Sequence, residues 1–482
     1  MSKYKSLDIY EVISLITGFG LLTFELIASR VLAPSIGSTI YVWTSVIGVI
    51  IAALSLGYSV GGKIADIRTN KDDLIWLLLA IAGTVAFTSL SFPFFLSDIV
   101  GVFGDPRLQG FVASLILYAP TSFVLGIISP YLARLKNSSV KTTGTTIASL
   151  SSLNALGSIA GTFLTGFVFL AYLGSKETFV LVSFLFLATS WIINPKKYLK
   201  KRIILSILIV LVGLLSIPSI KNSGLVKTID TSSASYNILD VLYHGIPARV
   251  LVTGPGGYQS GEYRNDSKNL VFSYTKKLAE VVEVAPKKDD ILILGGGAYT
   301  LPEYLADKYP KSNIQVVEID PELPKISETY FGYKKRVNIL NISEDARVFL
   351  NKNSKKFDVI LVDVFSDSSI PFSLSTIEYA SKIKNSLTED GVVAANVHGS
   401  KKDSCSKLVS GIQNSYKREF THNKLFPLVD SGLEEHQNII LSFSNQNLNY
   451  LKQGWQTFDF DKDIEFTDNF APVEHLKANC TG

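Results

Sequence analysis

Acidic residues follow three successive apolar runs in the second half of the chain. Glu318 and Asp320 stand at the end of the first run, Asp345 follows the second, and Asp363 follows the third. The runs are Ile314–Ile319, Val337–Ile342 and Phe357–Val362. The carboxyl ends of parallel strands form the edge where open α/β sheets bind ligands. The run Ile314–Ile319 is the second strand if the earlier run Ile291–Leu294 is the first. An acid that ends the second strand can hold both hydroxyls of a ribose. The acids therefore predict a nucleoside site with a reaction centre beside it.

Three consecutive glycines, Gly295, Gly296 and Gly297, come directly after the apolar run Ile291–Leu294 and before a predicted helix. Glycines let the backbone turn tightly and approach a ligand, and the amides of the following helix favour anionic or polar groups. The dinucleotide fingerprint would place another glycine at position 300, where this chain has Thr300. The three glycines could alternatively form a turn with a purely structural role. The acids downstream favour a nucleoside-binding role.

Two carboxylates four residues apart, Asp363 and Asp367, lie on the loop after the fourth strand. One can accept a proton while the other orients a cationic group. Asp363 could instead cap a helix or a turn. His398 follows a later strand at the same predicted edge and could join the site, whereas the five histidines show no spacing typical of a metal site.

Four motifs together carry a resemblance to a known family. GGGAYTLPEYL, VVEIDPEL, SEDARVFL and FDVILVDVFSDSSIP, in this order, resemble the spermidine synthase (polyamine aminopropyltransferase) family over roughly residues 225–480. The forms DVFSDSSIP and FTDNFAPVEHL resemble its membrane-fused branch. The resemblance implies a class I methyltransferase-like, Rossmann-like α/β fold and decarboxylated S-adenosylmethionine or S-adenosylmethionine as the donor. The residues that it implies for donor binding are Gly295, Gly296, Gly297, Glu318, Asp320, Asp345 and Ala346.

The same resemblance implies how an amine substrate is handled. Asp363 would deprotonate the attacking amine, and Ser366 and Asp367 would contact it. A small β-domain before the Rossmann-like domain would line the pocket. Its implied pocket residues are Tyr236, Gln259 and Tyr274. In the alternative interpretation, the two tyrosines only pack on a sheet.

Two departures from the family pattern remove acids. Ala298 stands where soluble members have an aspartate after the glycines, and Lys276 replaces the glutamate of a Tyr-His-Glu triplet. Fewer acids attract a polycationic amine less strongly. Three functions therefore remain: a transferase from an S-adenosyl donor to an amine, which is favoured, a cofactor-independent acid/base enzyme acting on an exposed amine or a peptide N-terminus, and a protein that senses or transports polyamines or nucleosides.

The apolar residues of this 482-residue chain, 47% of the total, are concentrated before residue 221. Seven runs are long enough to cross a bilayer, namely 9–32, 40–62, 74–97, 110–133, 144–172, 177–194 and 202–220. We therefore predict a transmembrane domain of about seven helices at residues 1–222, in contact with lipid. The small β-domain would cover 223–275 and the Rossmann-like domain 276–482.

Basic residues in the predicted loops are distributed unequally between the two membrane faces. Thirteen lie on one face: Lys3, Lys5, Lys63, Arg68, Lys71, Arg134, Lys136, Lys141, Lys196, Lys197, Lys200, Lys201 and Arg202. Only Arg107 and Lys176 lie on the other. The positive-inside rule then places the N-terminus in the cytoplasm of a multi-pass protein of the cell membrane. With seven spans, the C-terminal domain is predicted to be extracytoplasmic, where Cys405 and Cys480 could form a disulfide.

Two ionisable residues, Glu25 and Arg30, interrupt the first apolar run. Charged groups at membrane depth are costly and often functional, although a structural ion pair or an Arg30 side chain that reaches the interface would also explain them. The net charge of +4 comes largely from the residues that mark topology, so no nucleic-acid partner is predicted. A homo-oligomer remains possible.

Overall fold

The computed structural model describes residues 7–37, 39–137, 142–216, 224–231, 233–254, 257–265, 268–364, 370–429, 432–460 and 464–480. The chain divides into two compact units. One comprises Met1–Lys221 with Ile229–Ser235, and the other Asn222–Thr228 with Tyr236–Gly482. Each unit is described separately below.

The first unit is built from helices. Its α-helices are α1 (Ile9–Ile36), α2 (Ile40–Ile67), α3 (Asp73–Val102), α4 (Pro106–Leu117), α5 (Ala119–Lys136), α6 (Thr143–Leu164), α7 (Leu170–Tyr172), α8 (Ser175–Ile192) and α9 (Leu199–Ser216). A π-helical segment, Thr165–Phe169, joins α6 to α7. Small residues let these helices approach closely. A Cβ added at Gly157 of α6, for example, would lie 1.9 Å from the Leu15 carbonyl oxygen of α1.

Five helices of the described chain are long and apolar enough to cross a membrane, and the pair α4–α5, bent by 52°, makes a sixth if it counts as one span. Seven spans were predicted. The seventh predicted run, 202–220, overlaps α9, whose first turn carries Lys200, Lys201 and Arg202, and the end of that run lies outside the described residues. These three charges separate α9 from the helices that qualify by composition.

Arg30 bonds to the backbone of the segment that follows the last helix. Its Nη2 donates hydrogen bonds to the carbonyl oxygens of Thr231 and Ala234, the latter at 2.9 Å. Both carbonyls belong to the segment Ile229–Ser235, which is part of the same helical unit. Arg30 thus holds the chain that follows the last helix. For Glu25 a functional role remains a prediction.

The second unit begins with a four-stranded sheet in the order β1-β2-β3-β4. The strands are β1 (Leu225–Asp230), β2 (Ser235–Tyr243), β3 (Ile246–Val252) and β4 (Tyr258–Tyr263), and β2, β3 and β4 pair antiparallel. Alternating burial along β2, with Tyr236 and Ile238 inside, shows that one face packs on a core. This is the small β-domain that the sequence predicts.

A seven-stranded sheet follows, in the order β10-β11-β9-β8-β5-β6-β7. Its strands are β5 (Asp290–Leu294), β6 (Asn313–Glu318), β7 (Ile339–Ser343), β8 (Phe357–Val362), β9 (Leu387–Gly399), β10 (His422–Pro427) and β11 (Gln437–Ser444). Strands β5 to β9 are parallel, while β11 runs antiparallel to β9 and to β10. The strand order reverses at β5, which has β6 on one side and β8 on the other, and such a switch point opens a crevice at the carboxyl ends of the strands.

Helices surround this sheet: α10 (Ser273–Val284), α11 (Thr300–Lys308), α12 (Leu323–Tyr330), α13 (Ala346–Lys352), α14 (Ile377–Asn385), α15 (Asp403–Lys417) and α16 (Val473–Ala478). All six residues of β8 are buried, as expected for a central parallel strand covered on both faces. The α/β class predicted from the sequence is confirmed. Helix α14 ends at Asn385, and Leu387 already pairs with Phe357 as the start of β9.

Candidate active site

The glycine loop after β5 brings two other parts of the site together. Gly295 has φ +93°, and a Cβ there would lie 2.3 Å from the carbonyl oxygen of Asp363. Gly297 has φ +50°, and its Cβ would contact the side chain of Ser260 on β4 at 3.2 Å. Side chains rarely adopt this left-handed backbone, so glycine is required for both conformation and space. The loop therefore closes against the end of β8 and against the small sheet.

The position of the missing family aspartate is filled by apolar and aromatic side chains. Ala298 and Tyr299 are both buried, and Tyr299 precedes α11 with φ +60°. Its ring lies so close to Gly296 that a Cβ there would be 2.8 Å from it. Burial, followed by the charge of Glu318, raises the pKa of the Tyr299 hydroxyl. The loop is thus packed where relatives are expected to carry an acid, and Thr300 hydrogen bonds to Ser260 across the loop (Oγ1 to Oγ, 3.3 Å).

Glu318, at the end of β6, is held by backbone amides on both carboxylate oxygens. Oε2 accepts from the Gly296 N–H at 2.8 Å, and Oε1 accepts from the Asp320 N–H at 3.0 Å. Burial raises the pKa of this carboxyl, and the backbone donors oppose that rise. Each oxygen has a further lone pair that could face a ribose hydroxyl. Glu318 therefore fixes the glycine loop, and donor binding by Glu318 stays a prediction.

Asp320 connects the two sheets of this unit. It is fully buried, and its Oδ2 accepts a hydrogen bond from the Tyr236 hydroxyl of β2 at 2.8 Å. Its Oδ1 accepts from the Glu322 N–H at 3.0 Å. Two residues predicted for different tasks, Asp320 for the donor and Tyr236 for the amine, are thus bonded to each other.

Asp345 lies after β7, where it caps a helix. Its Oδ1 accepts from the Val348 N–H at 3.0 Å and so completes the first turn of α13, in which Ala346 is buried. A capping carboxylate satisfies a backbone donor that the helix itself cannot. The capping contact explains why an aspartate follows β7 here, and a role for Asp345 and Ala346 in donor binding remains a prediction.

Asp363, directly after β8, is the residue predicted to react with the amine. Burial raises its pKa from 3.8 to about 6, and a hydrogen bond from Asn396 limits that rise. The Asn396 Nδ2 lies 3.0 Å from Asp363 Oδ1. Tyr274 of α10 is close enough for the Asp363 charge, after burial, to raise the pKa of its hydroxyl, and this hydroxyl donates to the Gln259 carbonyl oxygen. Asp363, Tyr274 and Gln259 are therefore brought together.

Other predicted residues lie outside this group. Ser366 and Asp367 fall in 365–369, outside the described residues. His398 hydrogen bonds to the Asn438 Oδ1, and this side chain in turn contacts Asn396 rather than Asp363. Burial, followed by the neighbouring His436, lowers the pKa of His398 to about 4. Asn396 and Asn438 were missed, although the position of Asn396 two residues before His398 on one strand placed both on the same face.

Cys405 of α15 and Cys480 form a disulfide with a Cα–Cα distance of 4.8 Å. His436 Nδ1 lies 3.4 Å from the Cys480 sulfur. The ligating atoms of these three residues lie within 4.8 Å of one another, but the disulfide occupies both sulfurs and leaves no thiolate for a metal ion. The pairing that the sequence left open is therefore formed.

Comparisons with known proteins identify the domain around this site. Residues 271–421 match the spermine/spermidine synthase domain. A polyamine aminopropyltransferase of Vibrio vulnificus is 32% identical over 193 residues, which are 39% of this chain and 63%, or less than two thirds, of that protein. Polyamine aminopropyltransferase 2 of Aquifex aeolicus is 25% identical over 401 residues, covering 78% of this chain and 76% of its own length.

The Aquifex alignment is longer than the C-terminal unit and so includes part of the helical region. Among solved structures, a probable spermidine synthase from Corynebacterium glutamicum aligns with 23% identity and a TM-score of 0.41, covering 48% of this chain and 82% of that one. The family resemblance predicted from the motifs is confirmed: this chain carries a spermine/spermidine synthase domain that follows a region of apolar helices in the sequence.

Proposed function

We propose that this protein is a membrane-anchored transferase that moves an aminopropyl group from decarboxylated S-adenosylmethionine to an amine, with Asp363 as the general base. The observation that carries the proposal is the environment of Asp363. Its carboxyl follows β8 beside the glycine loop of a spermine/spermidine synthase domain and has a pKa of about 6. A base with a pKa close to the working pH is both deprotonated and able to accept a proton.

The chemistry requires few protein groups. The amine nitrogen attacks the aminopropyl carbon attached to the sulfonium, the carbon–sulfur bond breaks, and its electron pair stays on sulfur in the leaving methylthioadenosine. The proton lost from the attacking nitrogen passes to the Asp363 carboxylate. Tyr274 and Gln259, joined by their hydrogen bond beside Asp363, would orient the amine.

The donor would lie along the carboxyl ends of β5, β6 and β7. The loop Gly295–Gly297 supplies a closely approachable backbone, and Glu318 presents carboxylate oxygens that its two backbone donors hold in place. These features fit a ribose, because a fixed carboxylate can accept hydrogen bonds from two adjacent hydroxyls. The buried Ala298 and the exposed Lys276 offer no negative charge to the amine, so we expect weaker binding of polycations than of a diamine.

The test uses the full-length protein in lipid nanodiscs with decarboxylated S-adenosylmethionine and either putrescine or spermidine. We expect release of methylthioadenosine that depends on both the donor and the amine, faster with putrescine. Asp363→Asn should still bind methylthioadenosine, as measured by calorimetry, but should turn over about 10²–10⁴-fold more slowly. If the wild-type protein neither binds methylthioadenosine nor releases it from the donor, the transferase proposal fails.

A second candidate is a cofactor-independent acid/base enzyme that acts on an exposed amine, such as a peptide N-terminus. The disulfide Cys405–Cys480 favours this alternative, since such bonds persist in oxidising compartments and decarboxylated S-adenosylmethionine is expected in the cytosol. Loss of peptide N-terminal amines without any donor, abolished in Asp363→Asn, would support it over the transferase.

We also propose that the C-terminal unit is extracytoplasmic. In the helical unit, Lys136 pairs with Glu11 near the beginning of α1 at 2.5 Å, on the face that carries most basic loops. The segment Ile229–Ser235 instead contacts the opposite ends of the helices. Arg30, near the end of α1, binds Ala234, and the Ser175 N–H at the start of α8 donates to Asp230 at 3.1 Å. The chain thus leaves the helical unit at the face opposite the N-terminus, which the positive-inside rule assigns to the outside.

Cysteine labelling in intact cells tests on which side of the membrane the C-terminal unit lies. Ser354→Cys introduces an exposed thiol in the C-terminal unit, while Thr145→Cys introduces one at the start of α6 on the basic face. We expect a membrane-impermeant maleimide to label the first in intact cells and the second only after lysis. The reverse pattern would place the C-terminal unit in the cytoplasm.

A further inference from the structure

A file of hydrogen-bonded polar side chains, namely Asp363, Asn396, Asn438 and His398, links the end of β8 to β9 and β11. Asn396 Nδ2 donates to Asp363 Oδ1 at 3.0 Å, and Asn438 Nδ2 donates to Asn396 Oδ1 at 3.0 Å. His398 Nε2 then bonds to Asn438 Oδ1. Asn396 is buried, with 1% of its surface exposed. Every link is therefore shielded from water to some degree, which strengthens hydrogen bonds between side chains.

Strand pairing explains why these residues meet. Asn396 and His398 are two residues apart on β9 and so share one face of the sheet. Asn438 of β11 is the direct antiparallel partner of His398, and Asn396 is the diagonal neighbour on the same face. The file is thus built into the register of two central strands rather than into a loop.

The direction of every hydrogen bond follows from the first one. An ionised Asp363 only accepts, so Asn396 must present its NH₂ group and turn its oxygen towards Asn438. Asn438 must then donate to that oxygen, which leaves its own oxygen facing His398. His398 must donate from Nε2, which selects one tautomer of the neutral ring. All donors consequently point towards Asp363.

We infer that Asn396, Asn438 and His398 are positioning residues that hold the Asp363 carboxylate in its proton-accepting form. The inference rests on the proposed role of Asp363 as a base. Asn438 and His398 act at a distance, because they set which end of the Asn396 amide reaches the carboxylate. Without them the Asn396 amide could turn its oxygen towards Asp363, and this contact would favour the protonated carboxyl.

The far end of the file is also fixed. The His398 ring packs edge-on against His436 with centroids 5.1 Å apart, and His436 contacts the disulfide. Among the described residues, Tyr274 acts electrostatically on Asp363, and His436 and Lys477 act on His398. None of these three is an acid that could compete with Asp363 for the amide donors.

The experiment measures the protonation of Asp363 directly, so that it does not depend on turnover. Full-length protein labelled with [4-¹³C]aspartate is titrated in nanodiscs by infrared spectroscopy, and the band absent from Asp363→Asn identifies this carboxyl. In Asn438→Leu and His398→Leu, which do not touch Asp363, we expect its pKa to rise by about 0.5–1 pH unit, the size of one net hydrogen bond. Asn396→Leu should shift it at least as far, and His398→Gln, which keeps a donor, should restore the wild-type value.

Gln413→Leu is the matched control. Gln413 is equally buried and donates to Asn423 and Phe458, but it is not part of the file. It should destabilise the unit without moving the Asp363 band. An unchanged pKa in both Asn438→Leu and Asn396→Leu, or an equal shift in Gln413→Leu, would overturn the inference. If the pKa shifts as expected but the wild type releases no methylthioadenosine, the file stands and the proposed function fails.

Discussion

The ends of β6 and β8 both carry an acid at the same edge of the sheet, buried in the case of Glu318 and partly buried in the case of Asp363, yet the two acids are held differently. Glu318, after β6, accepts a backbone N–H on each carboxylate oxygen. Asp363, after β8, receives a side-chain hydrogen bond from Asn396 and has a pKa of about 6. Backbone donors cannot move away without changing the fold, whereas an amide side chain can rotate. The arrangement suits Glu318 to binding and Asp363 to proton transfer.

The contrast also predicts that removing each acid affects the fold differently. Glu318 organises the glycine loop, so its removal should disturb both structure and donor binding. Asp363 supports no backbone through its carboxylate among the described contacts, so its removal should leave the fold intact and affect the reaction. Substitutions at the two positions therefore test this distinction.

The largest effect is expected from Asp363→Asn, which keeps the shape of the side chain but removes the proton acceptor. A general base contributes about 10²–10⁴-fold in rate, so kcat should fall by about that factor while methylthioadenosine binding persists. The measurement is steady-state kinetics of methylthioadenosine release, with a melting curve for each variant.

Asp358→Asn provides the control for that substitution. Asp358 lies at the other end of β8, where its Oδ2 accepts from the Asp289 N–H at 2.9 Å. Its loss should lower the melting temperature and leave kcat within about threefold, because it is remote from the reactive edge. Near-normal turnover in Asp363→Asn would mean that the carboxylate is structural.

Glu318→Gln should have the next largest effect. The amide keeps one acceptor oxygen, so either the Gly296 or the Asp320 N–H loses its partner, and binding of methylthioadenosine should weaken by about 1.5–3 kcal/mol, roughly 10–100-fold. Calorimetry gives the affinity. Glu344→Gln, which removes only the exposed ion pair with Lys352, should change it by less than about 0.5 kcal/mol. Equal affinities for wild type and Glu318→Gln would remove Glu318 from the donor site.

The smallest effect concerns stability and pH. Asp363 has a folded pKa of about 6 against an ordinary value of 3.8, so between these values the folded protein binds more protons than the unfolded chain. Stability contributed by this group therefore falls as pH rises through that window. Asp363→Asn should be more stable than the wild type by roughly 1–2.5 kcal/mol at about pH 7, and the difference should vanish below about pH 3, where the carboxyl is protonated in both states. A variant less stable than the wild type at both pH values would contradict this.

The elements of the large sheet could be predicted because its signals are local. Apolar runs such as Phe357–Val362 and the glycines of Gly295–Gly297 define strands and turns by their own chemistry, and both are found as expected. The acids after the strands were found for the same reason. Their partners were not, because the contacts of Asp320 with Tyr236 and of Asp363 with Asn396 depend on tertiary packing.

The register between strands β9 and β11 explains why the contact of His398 with Asn438 was not predicted. The pairing of His398 with Asn438 is fixed only when β11 inserts antiparallel beside β9, and no local pattern specifies that neighbour. The number of qualifying helices among the described residues, five or six against the seven predicted, differs for another reason. Hydropathy alone counted α9, although the three basic residues at its start make it a weak candidate by composition.

The most direct measurement is the pH dependence of kcat/KM for methylthioadenosine release from decarboxylated S-adenosylmethionine and putrescine. We predict that the wild-type rate falls below a pKa of about 6, where Asp363 becomes protonated. The residual rate of Asp363→Asn should lack this acidic limb. A wild-type profile without a limb near this pH, or the same limb in Asp363→Asn, would contradict the assignment of Asp363 as the base.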